Sequence, residues 1–75
     1  MQTITLVRPH EANYTPASLL LDYAKHRVGC GYKYGEYGKL LLRLEGKVYE
    51  YDHWKITPLR DNEDKITLYL KEVAP

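Results

Sequence analysis

Two alternating runs meet at a single glycine, and no other stretch of the chain restricts its fold so tightly. Residues 39–45 put Leu40, Leu42 and Leu44 at every second position, residues 47–53 do the same with Tyr49, Tyr51 and His53, and Gly46 stands between them. A period of two is that of a strand with one buried face, and a glycine between two such strands is what a tight hairpin turn requires. Either Glu45-Gly46 or Gly46-Lys47 can form the turn. In both registers Leu40, Leu42 and Leu44 share a face with Tyr49, Tyr51 and His53. The Gly46-Lys47 turn would set Arg43 opposite Glu50 and the Glu45-Gly46 turn would set Lys39 opposite Asp52, so cross-strand charge leaves both open.

The other elements follow from local signals. Residues 2–8 alternate Ile4 and Leu6 against Thr3, Thr5 and Val7, and Pro9 ends the run. Tyr14-Thr15-Pro16 reads as a helix start, with Thr15 as N-cap, Pro16 at the first helical position where its missing N–H is no loss, and Tyr14 placed to pack on Leu19. Ala17, Leu20, Leu21, Ala24 and Val28 recur at helical spacing, which predicts a helix to about Val28 with Gly29 as its stop. Lys25, His26 and Arg27 then complement the negative end of the helix dipole. Trp54 and Ile56 alternate until Pro58, consistent with the hairpin strand continuing past a bulge or with a short edge strand. Asp61-Asn62-Glu63-Asp64 reads as a solvated turn, and residues 65–73 alternate Ile66, Leu68 and Leu70 against Thr67, Tyr69 and Lys71 as a final strand.

The predicted order is βαβββ. This is an α+β fold, one domain over residues 1–75, with one helix packed on one face of a three- to four-stranded, mainly antiparallel sheet. One helix covers one face, so Thr3, Thr5, Arg43, Thr67, Tyr69 and Lys71 are expected on an open one. A chain of 75 residues buries only about 60% of its unfolded surface, and its core is thin. Its one cysteine, Cys30, cannot form an intrachain disulfide, so stability must come from packing or from a second copy joined through an open edge or face. The leucine runs at 19–21 and 40–42 are far too short to span a bilayer, and no secretory pattern is present, which sets the expectation of a cytoplasmic protein without a membrane partner.

Composition bears on function in one place. The chain has eight tyrosines and no phenylalanine, and Tyr32, Tyr34 and Tyr37 fall in a segment with glycine at 29, 31, 35 and 38. A tyrosine joins an apolar ring to a hydroxyl that needs a partner, which suits surfaces that are half buried and half wet. The segment reads as a linker from helix to sheet that offers its rings outward. Around it, Lys25, Arg27, Lys33, Lys39, Arg43 and Lys47 outnumber Glu36 and Glu45, whereas the chain beyond residue 47 is acidic.

No catalytic, metal or nucleotide motif accompanies these features. The glycines lack the Gly-Lys-Ser/Thr ending of a phosphate loop, and Asp61 to Asp64 lacks the alternating ligands of a calcium loop. Cys30 would lie at a helix C-terminus, which disfavours a thiolate. Asp52 and His53, as strand neighbours, are expected to point to opposite faces. The expectation is therefore a non-enzymatic binding protein without cofactor or metal, an inhibitor or adaptor of the size encoded by phages and mobile elements. Its protein partner would meet Tyr32, Lys33, Tyr34, Tyr37, Lys39, Arg43 and Tyr69. A second reading stacks unpaired bases of single-stranded RNA or DNA on the same rings and sets Lys33, Lys39, Arg43 and Lys47 on phosphates. A third is a metal-independent ribonuclease using His53 and Glu50.

Overall fold

A computed structural model describes residues 2–73. In chain order these form β1 (Gln2–Pro9), α1 (Pro16–Lys25), β2 (Cys30–Tyr34), a kinked 3₁₀ turn at Glu36–Gly38, β3 (Leu40–Leu44), β4 (Lys47–Pro58) and β5 (Glu63–Glu72). The strands make one antiparallel sheet in the order β1-β5-β4-β3-β2. The α+β class and the single helix agree with the sequence reading, but there are five strands, not three or four. The extra one is β2, whose glycines and exposed rings hide the strand pattern.

The β3–β4 hairpin resolves its own register. Leu44 pairs with Lys47, Arg43 with Val48 and Leu42 with Tyr49, so the turn is Glu45-Gly46. Both residues have positive φ, 50° and 82°, as a two-residue turn of the primed type requires. Glycine accepts that conformation freely, whereas Glu45 pays a steric penalty for it. Lys39 reaches Glu50, with Nζ 3.3 Å from Oε2, and not Asp52.

Farther along β4, Tyr51 pairs with Leu70 but His53 pairs with Tyr69, which leaves Asp52 as an extra residue in a bulge. A one-residue insertion reverses the facing of everything beyond it. His53 therefore leaves the face of Leu40, Leu42, Tyr49 and Tyr51, where alternation had placed it, and Trp54 arrives there opposite Leu68. The half-buried Trp54 ring packs on the core and meets the Tyr14 ring edge-on at 5.9 Å.

Helix α1 begins as its sequence requires. The Ser18 N–H donates to Thr15 Oγ1 at 3.1 Å and the Thr15 N–H donates to Ser18 Oγ at 2.9 Å, closing a reciprocal cap ahead of Pro16. It ends at Lys25, three residues before the expected Val28, which is fully exposed. His26 Nδ1 lies 2.9 Å from the Asp22 carbonyl oxygen, a side-chain contact on the last turn of the helix. Leu19, Leu20 and Ala24 are buried against Ile4, Leu42, Tyr49, Ile66, Leu68 and Leu70. A fully buried leucine such as Leu20 contributes about 1.5–3 kcal/mol.

Asp64 is not part of a solvated turn. The turn is Asp61 and Asn62, both at positive φ, and Asp64 lies inside β5 as the one buried charged residue among those described, 3% exposed. Tyr14 donates its hydroxyl to Asp64 Oδ2 at 3.1 Å and His10 Nδ1 lies 3.0 Å from the same oxygen. Two partners make burial of the carboxylate tolerable.

Candidate functional site

Strand β2 closes one side of the sheet. It pairs with β3 from Cys30↔Leu44 to Tyr34↔Leu40, and β3 is its only neighbour in the strand order. An antiparallel strand with one neighbour turns half of its backbone N–H and C=O groups outward. Gly35 lets the chain leave the strand closely packed, since a Cβ there would sit 3.0 Å from Leu41 Cδ1. The turn that follows holds Tyr37 at φ 60°.

Tyr32, Tyr34 and Tyr37 are 44%, 61% and 98% exposed. Tyr32 and Tyr34 face the helix side, opposite Leu42 and Leu40, and contact each other edge-on with centroids 6.4 Å apart. Next to them runs an apolar groove of about 470 Å³ between the N-terminal part of α1, the end of β2, the start of β3 and the Glu50–Tyr51 stretch of β4. Its walls include Pro16, Ala17, Leu20, Tyr34, Leu40 and Tyr51. Lys39 and Glu50 close one end of it as an ion pair. Tyr51 was absent from the sequence-derived site, although its pairing with the Leu40 face within the hairpin marks it.

The other three candidates lie elsewhere. Lys33 and Arg43 alternate onto the open face, opposite Leu41 and Gly31, and Tyr69 joins that face from β5. The His53 ring stacks on Tyr69 with centroids 4.3 Å apart and planes 7° from parallel. Asp52 and His53 do converge, contrary to simple alternation, because the bulge brings Asp52 Oδ2 to 2.7 Å from His53 Nδ1. The seven sequence-derived residues therefore divide into a helix-side edge, with Tyr32, Tyr34, Tyr37 and Lys39, and an open-face group.

Two titratable groups have displaced acidities. Burial raises the Cys30 thiol, with Arg27 pulling it weakly the other way, so the neutral form is favoured. Burial also raises the Tyr14 phenol, assisted by its hydrogen bond to Asp64 and by that carboxylate's charge. Among the described residues no group of three or more His, Cys, Asp or Glu comes together to hold a metal ion. No helix of the described residues is long and apolar enough to cross a membrane.

No protein-family model matches this chain, and neither a curated protein nor a solved structure matches it.

Proposed function

We propose that the protein is a non-enzymatic binding protein, an inhibitor or adaptor acting in the cytoplasm, that occupies a protein partner through the β2 edge. The observation that carries this reading is the set of three outward tyrosines, Tyr32 and Tyr34 on a strand with one free side and Tyr37 in the turn that follows it, beside an apolar groove. A partner segment in extended form would satisfy the outward backbone groups of β2 by strand addition, while an apolar side chain fills the groove against Tyr34 and Leu20. The rings supply contact area at low entropic cost because each has only two rotatable side-chain bonds.

The ion pairs favour protein over nucleic acid at this edge. Lys39 is engaged by Glu50 and Lys47 by Glu72 at 3.6 Å, so two of the four cations that a nucleic-acid reading would set on phosphates already have carboxylate partners. Catalysis by His53 and Glu50 has less support, since each is occupied by a neighbour, Asp52 and Lys39.

The test is affinity capture from a native lysate, with half of the sample treated with nuclease, using the wild type and the Tyr32→Ala/Tyr34→Ala/Tyr37→Ala variant. A nuclease-resistant protein retained by the wild type and lost by the folded variant supports the reading. Equal retention by both overturns it.

A further inference from the structure

The face of the sheet opposite α1 has a charge pattern that the β2 edge does not use. Strand registers arrange its side chains in cross-strand rows. Gly31, Arg43 and Val48 form the first, and Lys33, Leu41, Glu50 and Lys71 the second. His53, Tyr69 and Thr3 form the third, Lys55, Thr67 and Thr5 the fourth, and Thr57, Lys65 and Val7 the fifth. Lys33, Arg43, Lys55, Lys65 and Lys71 are all exposed. Among the described residues, none of the five has a carboxylate within ion-pair distance. Of the Lys and Arg residues that do find one, Arg8 and Lys47 lie off this face, and Lys39 meets it at its border through Glu50 of the second row. The acidic side chains in register with the face are Glu50, already on Lys39, and Glu63, with Asp52 held by His53 in the bulge.

We propose that this open face binds single-stranded nucleic acid. Lys65 and Lys71 are six residues apart in β5, about 20 Å along an extended strand, and this is twice the distance over which a charge is felt at ordinary ionic strength. One small anion cannot serve both. The occupant that complements such a row of unpaired cations is a chain of regularly spaced negative charges. The His53–Tyr69 stack lies between the cationic rows and offers ring surface to unpaired bases. A shallow hollow of about 310 Å³ over Gly31, with Leu41 and Val48 in its lining between Lys33 and Arg43, offers a second apolar seat flanked by cations. Threonines 3, 5, 57 and 67 add hydroxyl donors for sugar and phosphate oxygens. This site is separate from the β2 edge, and neither depends on the other.

The test is fluorescence anisotropy with a labelled oligodeoxythymidylate of about twenty nucleotides, titrated with the intact protein. With about four phosphates neutralised on a single strand, affinity should fall on the order of fifty-fold between about 50 and 200 mM salt. Lys55→Ala/Lys65→Ala/Lys71→Ala should remove most of that salt dependence, and Tyr69→Leu, which keeps the bulk but not the ring, should weaken binding about tenfold. Lys47→Ala should bind as the wild type does, since Lys47 lies off the face and pairs with Glu72. Thermal melts of each variant establish that it is folded. The proposal is overturned if the oligonucleotide does not bind, if the triple variant binds as well as the wild type, or if a duplex binds as tightly as the single strand. Displacement by polyglutamate as effective as by unlabelled oligonucleotide also overturns it, since that would make the face a site for acidic protein.

Discussion

His53 lies flat against Tyr69 because the β4–β5 ladder skips Asp52, which bulges out between Tyr51 and His53. The same bulge carries Trp54 to the core side. Deleting Asp52 should make Tyr51 and His53 consecutive partners of Leu70 and Tyr69, removing the bulge while keeping Trp54 opposite Leu68, so stability should change by no more than about 1–2 kcal/mol. Asp52→Ala keeps the residue count and should cost less than about 1 kcal/mol. Urea unfolding of the two variants separates the contribution of the insertion from that of the carboxylate.

Asp64 ties the chain after β1 and the approach to α1 to the start of β5 through His10 and Tyr14. Asp64→Ala strips both groups of their acceptor and should lower stability by about 1–3 kcal/mol. Asp64→Asn keeps a carbonyl oxygen for Tyr14 and should lose less. Equal unfolding midpoints for wild type and alanine variant would refute the role of this contact.

The Tyr14 phenol supplies an alkaline signature. Its folded pKa is raised, so the native state holds the proton more tightly than the unfolded chain does. Its contribution to stability is complete below the ordinary tyrosine value of 10.0 and is lost as pH rises through the higher folded value. Absorbance titration should show one tyrosine ionising after its ordinary range, and Tyr14→Phe should abolish that late phase.

The Glu45-Gly46 turn has room for improvement. Glu45 sits at φ 50°, a conformation that asparagine tolerates better, and Glu45→Asn should stabilise the hairpin by about 0.5 kcal/mol. Gly46→Ala, at φ 82°, should destabilise it by about 1–2 kcal/mol. Thermal unfolding should move in opposite directions for the two.

Cys30 should be a sluggish thiol. Burial raises it above the ordinary 9.0 and Arg27 offsets that only in part, so less of the reactive thiolate is present at a given pH than in a free cysteine. Its reaction with a disulfide reagent should lag behind that of free cysteine between neutral and mildly alkaline pH, and Arg27→Ala should slow it further. A rate equal to that of free cysteine would contradict the burial of the thiol.

Local signals in the sequence carried the start of α1, the turn at Gly46 and the alternation of Ile66, Leu68 and Leu70, because each depends on residues within a few positions of one another. The end of α1 did not reach Val28, because a fully exposed Val28 gains no burial from further helix and the chain turns instead, with the Cys30 N–H donating to the Arg27 carbonyl, to enter β2. Strand β2 was unreadable because a short edge strand with a glycine inside it and one on either side needs no apolar alternation when one ladder and the start of the core hold it. The bulge at Asp52 has no glycine to announce it. It is imposed by the demands of Trp54 on one side and Tyr69 on the other. Asp64 looked like one more solvated acid because its two partners lie 54 and 50 residues away. Of the candidate site, the tyrosine edge was visible in composition, but the separation of Tyr32 and Tyr34 from Lys33, Arg43 and Tyr69 required knowing that residues 30–34 alternate.

The ladder between β1 and β5 joins the earliest described strand to the latest. During synthesis β2, β3 and β4 can zip together hairpin by hairpin, whereas β1 has no slot to enter until β5 has emerged. The strand made first is thus the last to dock, and a ribosome stalled short of β5 would leave Ile4 and the rim of β4 uncovered for chaperones or proteases to find.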